Sequence, residues 1–328
     1  MAGRQRVIID NDFSGDPDGL LQLVHHLLSP SVEIRALIGS HLRPGDPFDP
    51  SESTADNACG RIHAVLTALG VDAPAPVVAG SNSPLPDMRT PLRSAAATAI
   101  VAEALADDPR PLFLCCGAGL TEVASAWLME PRISERLTLV WIGGPEDPDL
   151  ADPPPHASPV EYNLNIDVAA ARVVLNESDI PVWQVPRNAY RQVLVSTAEL
   201  DTLVRPQGDI GRLLADSLDQ VHAMAGAHGL PLGETYIWGD SPLVLLTALQ
   251  SSFEADPSSS EYRVRPCPTI AEDGTATFGG GRPIRVYTRL DTRLLLGDFF
   301  AKLARHAATA RQPDQAGDGQ TARVTAPR

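Results

Sequence analysis

The sequence predicts a doubly wound α/β fold: a mainly parallel sheet with helices on both faces, followed by a mostly helical C-terminal part with a β-hairpin. Three observations predict it. Strand-like and helix-like patterns alternate over the first two-thirds of the chain. The strand runs are apolar throughout, as strands buried on both faces are. The first strand ends in a loop crowded with acids, and open α/β sheets bind ligands outside the carboxyl ends of their strands.

The elements follow in order. Val7–Asp10 reads as a strand and Gly19–Leu28 as a helix with apolar residues at helical spacing. Val32–Ile38 is a second strand. Ala55–Leu69 is a helix stopped by Gly70, a residue favoured just past a helix end. Pro76–Ala79 is short and extended, and Ser94–Ala106 is Ala-rich and helical. Leu112–Cys116 and Leu137–Ile142 are strands around a helix at Leu120–Leu128. Val168–Leu175 is a helix and Pro181–Val185 a strand. Between them, Pro145–Pro159 carries six prolines and reads as a long loop. Helices are then expected at Leu200–Val204, Ile210–Ala227 and Pro242–Leu249. A hairpin is expected from Tyr262–Pro268 and Ala276–Thr288, with Gly279-Gly280-Gly281 near its turn. Asp291–Ala308 is the last helix. Residues 312–328 are poor in large apolar residues and read as a disordered tail behind one domain over 1–311.

Composition narrows the function. The chain has 328 residues, 43% of them hydrophobic, and a net charge of −15 from 41 acids against 26 bases. Phosphate neutralisation needs basic side chains, so a nucleic acid partner is not expected. No apolar run is long enough to cross a membrane, and a cytoplasmic protein is expected. The four cysteines show no CxxC spacing. Cys115 and Cys116 sit in a strand-like run and read as small hydrophobes.

The acid loop is the most informative segment. Asp10, Asp12, Asp16 and Asp18 fall within nine positions, with Pro17 and Gly19 among them. Like charges crowded in this way cost free energy unless a cation or hydrogen-bond donors neutralise them. Asp and Pro also suit a helix start, so capping accounts for one or two of the four. It does not account for Asp10 and Asp12 at the end of a buried strand. Two later segments carry further polar groups. Trp238-Gly239-Asp240-Ser241-Pro242 precedes an apolar helix and reads either as a site or as its cap. In Glu161-Tyr162-Asn163-Leu164-Asn165-Ile166-Asp167, the residues Glu161, Asn163 and Asn165 alternate, which in an extended segment puts them on one side. They suit a ligand rich in hydroxyls, or the backbone of a loop. Asp167 reads as an N-cap.

Together these segments resemble the inosine–uridine nucleoside hydrolase family. Its Asp-rich opening resembles Asp10-Asn11-Asp12, and its Gly-Asn strand end resembles Gly39-Ser40. Its next helix and strand resemble the stretch around Asn57 and Pro76–Gly80, with Pro84-Leu85. Its G-x-L-T-N-x-A segment resembles Gly117–Ala124, and its M-G-G resembles Ile142-Gly143-Gly144. Its E-F-N segment resembles Glu161-Tyr162-Asn163 through Ala170, and its H-D-P helix start resembles Gly239-Asp240-Ser241-Pro242. The similarity runs in order from residue 7 to about 250.

The resemblance implies a doubly wound core with one calcium ion in a pocket, and hydrolysis of the N-glycosidic bond of a ribonucleoside or nucleoside-like glycoside. Asp12 is then the base that takes a proton from water, and also a metal ligand. Asp16, Asp18, Asp240 and the Thr121 carbonyl are further candidate ligands. Asp10, Asp16, Ser40, Glu161, Asn163, His156 and Trp238 are candidate substrate contacts, and Tyr236 and His41 are further candidates on the leaving-group side. A homodimer or homotetramer is expected, as is usual for such families.

The chain also departs from that pattern. The family's paired Asp is Asp16-Pro17-Asp18 here, and one inserted residue would let Asp18 replace the ligand that Pro17 cannot supply. Ser40 and Glu122 replace Asn residues. Gly239 replaces a His that many members use to protonate the leaving base. Pro155 replaces a sugar-binding Asn, with His156 adjacent. Two alternatives stay open: a repurposed, non-hydrolytic sugar- or nucleoside-binding member, and a hydrolase of a non-nucleoside glycoside.

Overall fold

The structure is a computed structural model and describes residues 5–230, 233–251, 253 and 258–311. Residues 312–328, read from sequence as a disordered tail, lie outside the described residues.

The strands are β1 (Gln5–Asn11), β2 (Val32–Gly39), β3 (Val77–Ala79), β4 (Leu112–Cys116), β5 (Thr138–Ile142), β6 (Val182–Val185), β7 (Leu194–Ser196), β8 (Thr235–Ile237), β9 (Glu261–Pro266), β10 (Thr269–Ile270), β11 (Ala276–Thr277) and β12 (Pro283–Arg289). The helices are α1 (Asp18–Leu27), α2 (Thr54–Leu69), α3 (Ala95–Ala104), α4 (Thr121–Met129), α5 (Tyr162–Ile166), α6 (Val168–Arg172), α7 (Arg187–Tyr190), α8 (Thr197–Glu199), α9 (Gly208–Ala227), α10 (Pro242–Thr247) and α11 (Thr292–Ala310).

One eight-stranded sheet runs in the order β3-β2-β1-β4-β5-β6-β12-β9. The pairs from β3 to β12 are parallel, and only edge strand β9 runs antiparallel. Alternate residues of the central strands feed two cores. Val7, Ile9, Leu37, Cys115 and Val140 pack with α1, α2, α9, α10 and α11. Ile8, Ile38, Leu114, Cys116 and Leu139 pack with α3, α4 and α6 on the other face. This explains why the strands lack apolar–polar alternation: neither face meets water. Adjacent Cys115 and Cys116 point into opposite cores as free thiols.

From β1 the chain winds outward through β2 and β3, then returns to β4 on the other side of β1. The β1/β4 junction is therefore the topological switch point, where diverging loops leave a crevice. Asp10 pairs in register with Ile38 on β2 and Cys116 on β4, so the acid loop opens there.

Several expectations are corrected. The expected hairpin is two nested ones: β9 pairs with β12, and β10 with β11 inside the connection. Gly279-Gly280-Gly281 follows β11 rather than forming the β9–β12 turn. The helix expected at 168–175 is α6 followed by a π-helical turn over Val173–Glu177, and Leu200–Val204 is another such turn. Glu161–Asp167 is not extended. It is α5 between two caps, with Asn165 exposed while Glu161 and Asn163 are buried. Among the described residues, no helix is long and apolar enough to cross a membrane.

Candidate active site

Local backbone chemistry brings β1 into the site. Asp10 and Asn11 are fully buried at its end. The Asp10 carbonyl accepts from Gly117 N (3.0 Å) and the Asn11 carbonyl from Ser40 N (2.9 Å), which ties the ends of three strands together. A tight turn follows, with Gly15 N donating to the Asp12 carbonyl (2.7 Å). Asp16 Oδ1 then accepts from Asp18 N (3.2 Å), and Pro17 occupies the N-cap of α1 without a side-chain cap bond. Only Asp16 of this loop is engaged at the helix start; Asp10, Asp12 and Asp18 are not spent on capping it.

Asp240 reaches the same place from the far end of the chain. Asn11 Nδ2 donates to Asp240 Oδ2 (2.9 Å), and Asp240 N donates to Asp18 Oδ2 (3.2 Å). No side chain caps α10, so the capping reading of Asp240 and Ser241 is set aside. Gly117 permits this convergence. A Cβ there would lie 2.4 Å from Asn11 Nδ2 and 2.7 Å from Asp240 Oδ1.

These groups open on a cavity of about 540 Å³, within the range of small-molecule sites. Asp12, Asp16, Asp18, Glu161, Asn163 and Asp240 line it, together with Gly117. Its apolar lining comes from Phe48, Ile142, Tyr162, Tyr190, Leu194, Tyr236 and Ile237. Leu194, Tyr236 and Ile237 belong to the small β7–β8 sheet. Pro17 does not line this cavity. It lines a neighbouring cleft with Ser14, Gly15 and Arg61. Of the two residues that could continue the acid series, the cavity therefore has Asp18.

The electrostatics are those of uncompensated acids. Burial, then neighbouring carboxylates, push Asp12 and Asp18 well above the usual carboxylate range. Burial lifts Asp10 to about 8, Asp240 to about 7 and Asp16 to about 6, against the pull of their hydrogen bonds. None of these five acids joins an ion pair among the described residues. Asp10 Oδ2, Asn11 Oδ1 and Asp12 Oδ2 are buried without any hydrogen-bond partner. Such orphaned acceptors are costly and call for a donor or a cation. A hard cation takes carboxylate, amide and carbonyl oxygens, so the donor chemistry fits one. Among the described residues, no three His, Cys, Asp or Glu side chains are drawn into a ready coordination group. Their own hydrogen bonds hold them instead: Asp240 on Asn11, and Asp16 on the Tyr236 hydroxyl (2.8 Å).

Glu161 and Asn163 line the cavity but are already engaged. Glu161 caps α5, its Oε2 accepting from Gly144 N (2.8 Å) and Leu164 N (3.1 Å) and its Oε1 from the Tyr190 hydroxyl (3.0 Å). Asn163 Nδ2 donates to the Ile142 carbonyl (2.8 Å). The other expected residues do not reach the cavity lining. Asp10 lies beneath it and accepts from the Ser40 hydroxyl, so Ser40 supports Asp10 rather than facing a ligand. Thr121 begins α4, with its hydroxyl donating to Asp167 Oδ2 (2.7 Å) and facing His41 Nε2 (2.9 Å). His41 is buried with it. His156 is exposed, at a left-handed φ of +63° in the Pro-rich loop. Trp238 is 1% exposed and packs edge-on against Phe299 at 5.3 Å and Phe300 at 6.0 Å, so it belongs to the core.

Sequence reasoning missed Phe48, Tyr162, Tyr190 and Asn11 as part of the site. Tyr162 stood between two named residues, and Asn11 between two acids. Phe48 and Tyr190 carried no local signal, because only the folded chain brings them there.

Comparison with known proteins now adds to this geometry. A family model described as inosine-uridine preferring nucleoside hydrolase matches residues 7–301. No individually curated protein matches the chain significantly in sequence. Among solved structures, a purine-preferring ribonucleoside hydrolase from Gardnerella vaginalis superimposes with a TM-score of 0.71 at 17% identity, over 93% of this chain and 100% of that one. An inosine–guanosine nucleoside hydrolase gives 0.69 at 18% identity, over 92% and 99%. An inosine–uridine preferring nucleoside hydrolase from Bacillus anthracis gives 0.64 at 17% identity, over 93% and 99%. At these identities the superpositions speak for the fold, and the family model for the membership. With a doubly wound sheet, an acid-lined cavity at its switch point and a match across nearly the whole described chain, the protein belongs to the inosine-uridine preferring nucleoside hydrolase family, and is a glycosidase of the nucleoside hydrolase kind.

Proposed function

We propose that the protein hydrolyses the N-glycosidic bond of a ribonucleoside or nucleoside-like glycoside, with calcium as its metal and Asp12 as the base. One observation carries the reading: Asp12 lines the cavity with a buried, unpartnered Oδ2 beside Asp18, Asp240, Glu161 and Asn163. Asp12, Asp18, Asp240, Asp16 and the Thr121 carbonyl would hold the cation, although Thr121 does not line the cavity. When bound, such a cation neutralises the acids and acidifies nearby water. The residues do the rest. Asp12 lines the cavity with its Oδ2 buried and free of hydrogen bonds, and that oxygen receives the water proton. Asp10 steadies the loop from below through Ser40. Glu161 and Asn163 offer their remaining acceptor capacity to sugar hydroxyls. The apolar wall excludes water around the breaking bond.

The test is release of reducing sugar from a nucleoside panel, with calcium titration by calorimetry in parallel. Asp12→Ala is expected to abolish turnover and the calcium site together. A protein that binds no divalent cation at micromolar levels overturns the metal assignment. The second reading, a repurposed sugar- or nucleoside-binding protein, is favoured by Gly239, which brings no acid to the leaving group. Binding without turnover would support it. The reading extends to a cytoplasmic enzyme assembled as a homodimer or homotetramer. Four free cysteines suit a reducing compartment, and light-scattering mass tests the assembly.

A further inference from the structure

Three tyrosines line the cavity, and each phenol donates its hydrogen to a carboxylate. Tyr236 donates to Asp16 Oδ2 (2.8 Å), Tyr162 to Asp46 Oδ2 (2.8 Å) and Tyr190 to Glu161 Oε1 (3.0 Å). None of the three hydroxyls is left to protonate a leaving group. Asp16 accepts at both oxygens, and Glu161 accepts three bonds. No Lys, Arg or His is among the described residues that line the cavity. Two basic residues close to these rings lie outside the cavity lining. His222 meets the Tyr236 ring edge-on at 5.9 Å, and Arg43 sits 5.8 Å from the Tyr162 ring centre, paired with Asp46. Residue 239, directly before Asp240, is glycine.

Cleaving an N-glycoside sends the C–N electron pair to the ring nitrogen. A neutral purine or pyrimidine then departs as an anion unless a donor protonates it. A base that is already cationic, such as an N-ribosyl pyridinium or an N7-alkylated purine, needs no proton, because the electron pair cancels its charge. Water adds its oxygen to the anomeric carbon and loses one proton, first to Asp12 and then to solvent, and the base leaves neutral. Such a cation also matches the walls. Phe48, Tyr162, Tyr190 and Tyr236 line the cavity, and aromatic rings attract cations by about 0.5–2 kcal/mol.

We infer that this cavity selects nucleosides whose base carries a positive charge at the glycosidic ring, over the neutral nucleosides. The inference rests on the N-glycosidase reading above. The test compares N7-methylinosine with inosine, which share the ribose and the ring skeleton, on the full chain with calcium. General acid catalysis contributes about 10²–10⁴-fold. Its absence therefore predicts a kcat/KM at least about 10²-fold higher for N7-methylinosine. Tyr236→Leu is expected to raise KM for N7-methylinosine more than for inosine. Equal kcat/KM for the two overturns the inference and leaves the glycosidase reading standing. Ribose release from neither overturns both.

Discussion

The crowded acids make a quantitative prediction about calcium and pH. Consider the chelator-treated protein, to which calcium is added at about 100-fold excess over its Kd. Binding to the folded state alone contributes ~2.7 kcal/mol. Unfolding entropy of ~2.1 cal/mol/K per residue gives ~0.6 kcal/mol/K for a domain of about 300 residues, so Tm should rise by ~4 °C. The rise should depend on pH. Asp240 goes from 3.8 to about 7 in the fold, worth at most roughly 4 kcal/mol and shared with its neighbours. An acid with a raised pKa binds more protons folded than unfolded. Its stabilising contribution is complete below about pH 4 and is lost as pH climbs through about 7, or about 8 for Asp10. The chelated protein should therefore weaken from pH 5 to 8, and calcium should restore most at pH 8. Asp12→Asn removes one repelling charge. It should raise Tm of the chelated protein at pH 8 while abolishing the calcium increment. Differential scanning fluorimetry across pH, with and without calcium, reads all three effects. A calcium increment absent at pH 8, or larger at pH 5 than at pH 8, refutes the reasoning.

Other perturbations separate the parts of the structure. Gly117→Ala drives a methyl group to 2.4 Å from Asn11 Nδ2, and should cost ~1–3 kcal/mol and weaken calcium binding, read by urea unfolding and calorimetry. Trp141→Ala empties a fully buried site and removes the 3.0 Å hydrogen bond from Nε1 to the Ala118 carbonyl; a loss of ~3–5 kcal/mol in urea unfolding is expected. His26 is buried between Gln22 (2.5 Å) and Thr247 (3.0 Å), and burial, then His25 and Lys302, pull its pKa down from 6.5 to about 3. A histidine with a lowered pKa binds fewer protons folded than unfolded, so its stability contribution is whole above about pH 6.5 and is lost as pH falls toward 3. His26→Gln should flatten that acid limb in urea midpoints from pH 7 to 4, and an unchanged limb would exclude His26 as its source.

The sequence by itself determined the architecture, because its strands report their surroundings directly. Val7-Ile8-Ile9 and Leu112–Cys116 are apolar at every position, which only a sheet covered on both faces requires. The acids at the end of the first strand likewise announced a site, since capping could not absorb four of them. The tertiary structure decided what each polar group does, because a side chain's role depends on partners far away in the chain. Asp18, not Pro17, lines the cavity because the Asx turn at Asp16 rotates the start of α1 toward Asp240, more than two hundred residues on. Trp238 and Tyr236 are two residues apart, yet one packs on α11 and the other lines the cavity. Glu161 read as an extended ligand group but caps a helix, since a five-residue helix is too short to show helical spacing. Periodicity records which faces are buried. Only the fold sets which buried carboxylates meet, and which are left without a partner.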